Sequence, residues 1–276
     1  MAVSLVALRC RTADRFPGSP RGVELLAPLI GNALGVEPRV IGSPGEVRET
    51  RYDQDLVNGR GCLLEAGGQI DDALAAGDTP VLLAADCSVA VTTLPAVLRN
   101  RPEARILWLD AHGDYNTPES SGSGYLGGMC LAAATGEWDA GLGETIPAER
   151  VVLAGIRDLD AEERELLERS AATVIGASAI ETLVAAKNAL DGAPVFVHLD
   201  LDVVDPEHLP AAVPAPGGLH PDKLYDLLDS VLEDSELVGL ELTAFEVPAD
   251  ADAEAVATET VMHMLEPFFD HLSEDG

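Results

Sequence analysis

Acidic side chains follow two short apolar runs of this sequence at regular two-residue intervals. In ILWLDAHGDYN they are Asp110 and Asp114, with His112 between them, and in VFVHLDLDVVDP they are Asp200 and Asp202. Because side chains alternate across an extended segment, each set points to one face. Carboxylates and an imidazole that share a face at the end of a strand are groups that can bind a metal ion.

If the two segments converge, their four carboxylates need compensation, because desolvation and mutual repulsion both oppose ionisation. No lysine or arginine lies within either segment, whereas two divalent cations would balance four negative charges. Oxygen ligands with one imidazole favour a hard to borderline ion such as Mn²⁺. Two such ions about 3.5–4 Å apart would share a water and lower its pKa, which gives a bridging hydroxide nucleophile. The segments together predict a binuclear metal site, since turn formation by strand-end aspartates does not require both.

The elements that position these residues can also be predicted. Runs nearly continuous in Val, Ile and Leu alternate with amphipathic stretches, which predicts an α/β fold of three layers, α/β/α, with a central and mostly parallel sheet. Loops 116–128 and 205–219 follow strands, where such folds place their sites. We expect a single domain over residues 1–276. The predicted strands cover residues 3–8, 80–85, 105–109, 150–154, 195–199 and 237–242, and the predicted helices 23–34, 61–76, 89–99, 160–170, 177–190, 221–232 and 253–271.

The composition excludes several classes of partner. Aspartate and glutamate number 48 against 17 lysines and arginines, and the net charge of −31 argues against nucleic acid and anionic membranes. The chain is 47% hydrophobic, but no apolar run reaches the ~18 residues of a membrane span. The N-terminus lacks a signal-peptide pattern, and the cysteines at positions 10, 62, 87 and 130 form no CxxC pair. We therefore predict a cytoplasmic protein with reduced thiols.

The segments ADCS, DAHGDYNTP, GIRDLD and LDLDVVDP resemble, in the same order, the motifs of the arginase (ureohydrolase) superfamily. The resemblance runs roughly over residues 81–248. It implies an eight-stranded parallel sheet and a hydroxide that attacks a guanidinium carbon with release of urea. It implies one Mn²⁺ held by Cys87, Asp110, Asp114 and Asp200, and a second held by His112, Asp110, Asp200 and Asp202.

The resemblance extends to contacts with the substrate. The asparagine and serine that bind an α-carboxylate in the family correspond to Asn116 and Ser123. The residue that reads an α-ammonium group corresponds to Asp160, and Glu163 lies close by in the sequence. An amide, a hydroxyl and a carboxylate can hold a zwitterionic head by directed hydrogen bonds. These residues favour an α-amino-acid substrate over a decarboxylated amine.

Two departures from the family pattern bear on the chemistry. Cys87 stands where most of the family has a histidine ligand, and a thiolate is a softer ligand that suits Mn²⁺ less well, so the first site would be weak or take another ion. Alternatively, Cys87 is a small buried residue. Gly127 stands where the family has a proton-shuttling histidine. Without that general acid, the protonation of a basic leaving group should be slower by a factor of about 10²–10⁴, and that of a hydroxylated or substituted nitrogen should be slowed less. Asp114 or Asp202 is the expected proton relay in its place. These departures resemble the branch that hydrolyses Nω-hydroxy-L-arginine in cycloserine biosynthesis.

A third departure concerns the glutamate that binds the guanidinium group in the family. In the family this glutamate lies five residues after a glycine of its strand, and the same count from Gly239 reaches Ala244 instead of an acid. Glu246 lies two residues further on, about 6–7 Å along an extended strand. Either Glu246 takes over this role or the site lacks the carboxylate. Glu241 is three residues before Ala244, so by strict alternation its side chain would point to the opposite face of the strand from Ala244. His198 precedes the LDLD motif and, by alternation with Asp200 and Asp202, could face the site and orient the metal-binding residues.

The function predicted from these residues is that of a binuclear-metal hydrolase. It would cleave a C–N bond of a guanidino or hydroxyguanidino amino acid, Nω-hydroxy-L-arginine or an arginine-like compound, through the bridging hydroxide. The alternatives are a hydrolase of agmatine, a guanidino acid or formiminoglutamate, or a non-catalytic relative that binds a metabolite. A phosphoesterase is disfavoured because no basic cluster accompanies the motifs. By family analogy we expect a homo-oligomer, a trimer or a hexamer.

Overall fold

A computed structural model describes residues 2–177 and 179–274. They form an eight-stranded sheet in the order β2-β1-β3-β8-β7-β4-β5-β6, in which every pairing is parallel. The predicted α/β fold with a parallel central sheet is thereby confirmed. The strands are β1 (Val3–Leu8), β2 (Arg39–Ile41), β3 (Thr79–Leu83), β4 (Arg105–Leu109), β5 (Val151–Ile156), β6 (Thr173–Gly176), β7 (Val195–Asp200) and β8 (Leu237–Thr243).

Helices cover both faces of this sheet, because alternate residues of each strand pack into two separate cores. On β1, Leu5 and Ala7 belong to one core, which α1, α7, α8, α9 and α10 complete. Val6 and Leu8 belong to the other core, which α3, α4, α5 and α6 complete. The described helices are α1 (Gly18–Leu34), α2 (Tyr52–Asn58), α3 (Arg60–Ala76), α4 (Ala90–Asn100), α5 (Cys130–Ala134), α6 (Ala161–Arg169), α7 (Ala179–Leu190), α8 (Pro221–Asp234), α9 (Ala251–Met264) and α10 (Glu266–Glu274).

The elements that the sequence did not predict are short or lie at the margins of the sheet. Strands β2 and β6 are its two edges and are largely exposed, so they lack the buried apolar run that marks the central strands. The helix predicted over 253–271 is two helices, α9 and α10, which meet at Leu265. Pro267 stands in the first turn of α10, where its missing N–H ends continuity with α9.

A disulfide corrects the prediction that all four cysteines are reduced thiols. Cys10, just after β1, is bonded to Cys62 on α3, 52 residues away along the chain. That separation carries no spacing signal that a sequence pattern could reveal. Cys87 and Cys130 are buried free thiols. Among residues 2–177 and 179–274, none of the helices has the length and apolarity needed to cross a bilayer.

The order of strands places the predicted site residues side by side. β3, β8, β7 and β4 are consecutive neighbours in the sheet, and parallel strands present their carboxyl ends at one edge. Cys87 follows β3, Asp110 follows β4 and Asp200 ends β7. Arg157, after β5, donates hydrogen bonds to the carbonyls of Asp202 and Val203 at 2.7 and 3.1 Å, which holds the loop after β7 against the sheet.

Candidate metal centre and substrate pocket

A cavity of about 400 Å³ opens at the carboxyl ends of the central strands. All six predicted metal ligands line it, although they come from three segments that are far apart in the sequence. The charges of this cluster are therefore concentrated in one partly enclosed space. The six residues are Cys87, Asp110, His112, Asp114, Asp200 and Asp202.

Backbone hydrogen bonds hold the two acidic segments in register with each other. The backbone N–H of His112 donates to Asp110 Oδ1 at 2.6 Å, and that of Ala111 donates to Asp202 Oδ1 at 3.1 Å. The N–H of Asp202 donates in turn to Asp200 Oδ1 at 2.8 Å. The bond from Ala111 to Asp202 links the ends of β4 and β7, and the other two fix carboxylates within their own segments.

The segment does not remain extended as far as Asp114. This residue has φ 50°, in the left-handed region that aspartate tolerates better than most residues. Its carbonyl accepts hydrogen bonds from the N–H groups of Leu131 and Ala132 at 3.1 and 3.2 Å, which ties the bend to α5. Simple alternation would place Asp114 on the face of Asp110, and the bend still delivers its carboxylate to the cavity.

The electrostatics show that the carboxylates cannot all be ionised on their own. Burial raises the pKa of Asp110 and Asp114 well above the usual value, and the neighbouring aspartates raise both further. Burial and Asp202 raise the pKa of Asp200 to about 8. A cation in the cavity would reverse these shifts, because it favours the ionised form of every carboxylate that faces it.

His112 pairs with two carboxylates of the cluster, Asp202 and Asp110. Nδ1 of His112 lies 3.0 Å from Asp202 Oδ2 and 3.3 Å from Asp110 Oδ1. Burial opposes the charged imidazole, but the hydrogen bonds to Asp110 and Asp202 raise the pKa of His112 to about 12. Burial likewise acts against ionisation of Asp202, but His112 holds the pKa of Asp202 below its usual value. Among the described residues, Nε2 of His112 has no hydrogen-bond partner.

Two groups of donor atoms in the described chain fit divalent ions. One comprises Asp110, His112 and Asp202, and the other comprises Cys87, Asp110 and His198, with the donor atoms of each group within 4.8 Å of one another. The first group is rich in oxygen and the second combines sulfur, nitrogen and oxygen, so both are sets of side chains that ligate metals in proteins. The residues therefore fit divalent ions, although Asp114 and Asp200 of the predicted ligand sets belong to neither group.

Cys87 faces the carboxylates and is not simply a packing residue. Its Sγ donates to Asp200 Oδ2 at 2.8 Å and lies 3.2 Å from Thr243 Oγ1. Burial and the charge of Asp200 raise the pKa of the Cys87 thiol well above its usual value, so the thiol is protonated when no cation is near. Cys130, the other free thiol, makes only a long contact of 3.6 Å to Asp114 Oδ2.

Four of the five predicted substrate contacts line the same cavity: Asn116, Ser123, Asp160 and Glu163. The Asn116 amide donates to Asp160 Oδ2 at 3.2 Å, so these two polar heads are neighbours. Glu163 is 4% exposed and accepts from the N–H groups of Tyr115 and Asp160. Its carboxylate is thus engaged with the backbone at the start of α6, where Asp160 and Glu163 form a capping box.

The fifth predicted contact, Glu246, does not line the cavity. Its carboxylate accepts hydrogen bonds from the N–H of Gly18 and the hydroxyl of Ser19, both at 2.9 Å, and so caps the start of α1 rather than lining the cavity. The reason lies at Ala244, which has φ 60° and turns the chain after β8. The alternation that placed Glu246 on the side of Ala244 ends at that turn. Ala244 itself lines the cavity.

The sequence did not single out Arg15 and Tyr125, which also line the cavity. The Arg15 guanidinium lies 4.6 Å from the centre of the Tyr125 ring and donates to the carbonyl of Ser123 at 3.4 Å. Arg15 lies in no motif and Tyr125 stands two residues before Gly127, but only the folded chain shows that both side chains reach the cavity. Arg15 adds a positive charge on the side of the cavity where Ser123 lies.

Comparisons with known proteins agree with this geometry. A family model described as the Arginase family matches residues 45–266. An N(omega)-hydroxy-L-arginine amidinohydrolase from Streptomyces lavendulae is 33% identical over 268 residues, which are 97% of this chain and 97% of that protein. An arginase from Brevibacillus brevis is 32% identical over 232 residues, 76% of each chain. The crystal structure of Entamoeba histolytica arginase in complex with L-ornithine has the same fold, with a TM-score of 0.86, 20% identity and 97% of both chains covered.

Proposed function

Because the chain belongs to the arginase family, we propose that this metal-dependent hydrolase cleaves a C–N bond of Nω-hydroxy-L-arginine. The observation that carries the proposal is the convergence of the six predicted ligands on one cavity whose remaining walls offer groups for an amino-acid head. The relative from Streptomyces lavendulae, which matches over nearly the whole chain, supports the choice of a hydroxyguanidino substrate.

We assign the cavity two divalent ions, with Mn²⁺ as the metal that the family resemblance implies. Asp110 belongs to both groups of donor atoms, so it stands between the two positions. Two bound divalent cations lower the pKa of water and so supply a nucleophile at neutral pH. The protein's own contribution is to hold the ligands in place. The N–H of Ala111 donates to Asp202 between the ends of β4 and β7, and the N–H of Asp202 donates to Asp200 within the second segment.

The polar wall of the cavity suits the zwitterionic head of an α-amino acid. Asn116 and Ser123 offer an amide and a hydroxyl to the α-carboxylate, and Arg15 adds the opposite charge nearby. Asp160 offers a carboxylate to the α-ammonium group, next to the amide of Asn116. This wall orients the substrate so that its other end reaches the aspartates.

Ala244 favours a weakly basic group at the reacting end of the substrate. Alanine stands where the family resemblance implies a glutamate, and the structure does not bring Glu246 in to replace it. A guanidinium cation would lose its carboxylate partner there, and an unpaired charge is costly in a partly buried site. An N-hydroxyguanidine is a much weaker base, because the hydroxyl withdraws electron density, and it can bind as the neutral form.

We propose that a carboxyl group of the cavity supplies the proton for the departing side-chain nitrogen. Gly127 carries no side chain, so no imidazole is available at that position. Water adds to the hydroxyguanidine carbon, the bond from that carbon to the side-chain nitrogen breaks, and ornithine leaves with hydroxyurea as the second product. We propose Asp114 or Asp202 as the relay that moves the water's proton to the nitrogen, since both line the cavity.

The test is a substrate panel with the Mn²⁺-loaded protein. We expect turnover of Nω-hydroxy-L-arginine to hydroxyurea and ornithine, with kcat/KM at least about tenfold above that for L-arginine, a difference of ~1.4 kcal/mol. Agmatine serves as the control that lacks an α-carboxylate and should be poorer than L-arginine. A higher kcat/KM for L-arginine, agmatine or formiminoglutamate would overturn the proposal that Nω-hydroxy-L-arginine is the substrate. Bound metal without turnover of any compound would favour a metabolite-binding relative.

The remaining expectations stay proposals of the same kind. We propose that the chain acts as one hydrolase domain, which is supported by a sheet that takes strands from Val3 to Thr243. Assembly into a trimer or hexamer and a cytoplasmic location rest on the resemblance and on the sequence alone. A disulfide is uncommon in the cytoplasm, so the Cys10–Cys62 bond argues for testing the location directly.

A further inference from the structure

A fully buried pair, His198 and Glu241, lies beneath the aspartates of the cavity. Nδ1 of His198 is 2.7 Å from Glu241 Oε1, and neither side chain is exposed. The strand register explains the pair, because His198 on β7 is flanked by Trp108 on β4 and by Glu241 on β8. The imidazole stacks on the Trp108 ring with centroids 3.5 Å apart and the planes within 4°. Two neighbouring strands therefore hold the ring of His198 in one orientation.

The other nitrogen of this ring is unused in the part of the chain that the structure describes. Nε2 of His198 has no hydrogen-bond partner there, and neither has Oε2 of Glu241. Buried polar atoms are almost always satisfied, so an orphaned imidazole nitrogen held in a fixed orientation calls for an explanation. Trp108 does not supply a partner, because its Nε1 donates to Asp110 Oδ2 at 3.2 Å.

The His198 ring lies among metal-binding atoms. A ring nitrogen of His198, Sγ of Cys87 and a carboxylate oxygen of Asp110 all lie within 4.8 Å of one another. Since Nδ1 is engaged with Glu241, Nε2 is the nitrogen that remains free to bind a cation. A carboxylate on one nitrogen and a metal on the other is the usual arrangement of a metal-binding histidine.

We infer that His198, oriented by Glu241, is a protein ligand of the first metal position together with Cys87 and Asp110. The family resemblance implies neither His198 nor Glu241 at the metal site. This chain has Cys87 after β3 where the family has an imidazole, and β7 supplies an imidazole instead. The resulting sulfur, nitrogen and oxygen donors suit Zn²⁺ or Co²⁺ better than Mn²⁺. The inference rests on the proposed function only in that the aspartate cavity binds divalent ions.

The test is a Co²⁺ titration of the full-length apo protein, followed by visible spectroscopy and calorimetry. With the wild type, the tighter ion should give a thiolate-to-cobalt charge-transfer band that Cys87→Ser abolishes. We expect Zn²⁺ to bind at that position at least tenfold more tightly than Mn²⁺. His198→Gln should weaken the tighter ion by at least about 100-fold, and Glu241→Gln by about 10–100-fold, while the second ion is unaffected. His263→Gln, an exposed histidine on α9, is the matched control and should change neither ion.

An unchanged cobalt spectrum and affinity in His198→Gln would overturn the assignment. If that variant does not fold, as judged by circular dichroism, then folded Glu241→Gln with wild-type affinity for both ions would overturn it instead. These outcomes differ from failure of the proposed function. A wild type that binds no divalent ion would end both proposals, whereas two bound ions and an unaffected His198→Gln would end this inference alone.

Discussion

At the scale of single residues, Tyr125 fills the space that Gly127 leaves open beside the cavity. A Cβ atom at position 127 would lie 2.5 Å from Cε1 and 2.7 Å from Cζ of the Tyr125 ring. The ring carries Arg15 on its face, so it cannot move without disturbing the guanidinium that we assign to the substrate's carboxylate. A side chain at position 127 and the present position of the Tyr125 ring are therefore incompatible.

Gly127→His alone should not restore a proton shuttle. The clash with Tyr125 should destabilise the fold by about 1–3 kcal/mol, as overpacking of a filled site does, and lower kcat for Nω-hydroxy-L-arginine. Thermal unfolding and steady-state kinetics measure the two effects. The double variant Gly127→His/Tyr125→Ala should recover most of the lost stability. A single variant as stable as the wild type would show that the Tyr125 ring does not occupy this space.

Asp14 gives a pH dependence that is independent of substrate. Burial and the neighbouring Asp86 raise the pKa of Asp14 from 3.8 to about 8. The unfolded chain releases this proton near pH 4, whereas the folded chain keeps it until about pH 8. The stability that Asp14 contributes is therefore present in full below pH 4 and is lost as the pH rises to 8, by up to about 1.4 kcal/mol per pH unit.

Asp14→Asn should accordingly flatten the pH dependence of the apo protein. An amide can keep the contact with Asp86 that a protonated carboxyl makes, so the free energy of unfolding at pH 8 should exceed that of the wild type. Urea unfolding at pH 5 and pH 8 measures this difference, with Asp53→Asn on the exposed surface of α2 as the control. Equal slopes for wild type and Asp14→Asn would contradict the raised pKa.

The residues of the site could be predicted in part from the sequence. The two-residue spacing before and after His112 and around Asp200 revealed the acids because they follow strand ends, although alternation stops before Asp114, which a bend with φ 50° delivers to the cavity. Glu246 was placed in the site by alternation, which ends at Ala244 because that residue adopts a positive φ that its type does not reveal. Arg15 and Tyr125 reach the cavity only through the path of loops, and that path is set by tertiary contacts.

At the scale of elements, the central strands could be predicted and the margins could not. β3, β4, β7 and β8 are buried on both faces, which makes their apolar runs continuous and easy to recognise. The exposed edge strands carry no such signal, and the junction of α9 with α10 depends on one proline. The features that the sequence does not reveal at this scale are thus the exposed edge strands and a helix junction, which no buried apolar run marks.

The disulfide joins the end of β1 to α3 and should stabilise both. A bond between residues 52 positions apart lowers the conformational entropy of the unfolded chain. The double variant Cys10→Ser/Cys62→Ser should therefore lower the free energy of unfolding by about 2–4 kcal/mol. Urea unfolding with and without a reductant measures the loss. The reductant should destabilise the wild type and leave the double variant unchanged. A wild type that is insensitive to reduction would contradict a bond that contributes to stability.

At the scale of the whole molecule, a net charge of −31 acts against both compactness and association. Screening shortens the reach of these charges from about 30 Å at 0.01 M salt to about 3 Å at 1 M. We therefore expect KCl to raise the melting temperature and to favour the homo-oligomer that the family resemblance implies. Analytical ultracentrifugation at both salt concentrations measures the mass. A monomer throughout this range would contradict the predicted assembly.

The central claim is that separate strands deliver their acids to one cavity whose charge two cations balance. The most direct test is a crystal structure of the full chain grown with saturating Mn²⁺, with anomalous data collected at the manganese edge. The account predicts two anomalous peaks within bonding distance of Asp110, one on the side of His112 and Asp202 and the other on the side of Cys87. A cavity without peaks, or carboxylates that point away from one another, would contradict it.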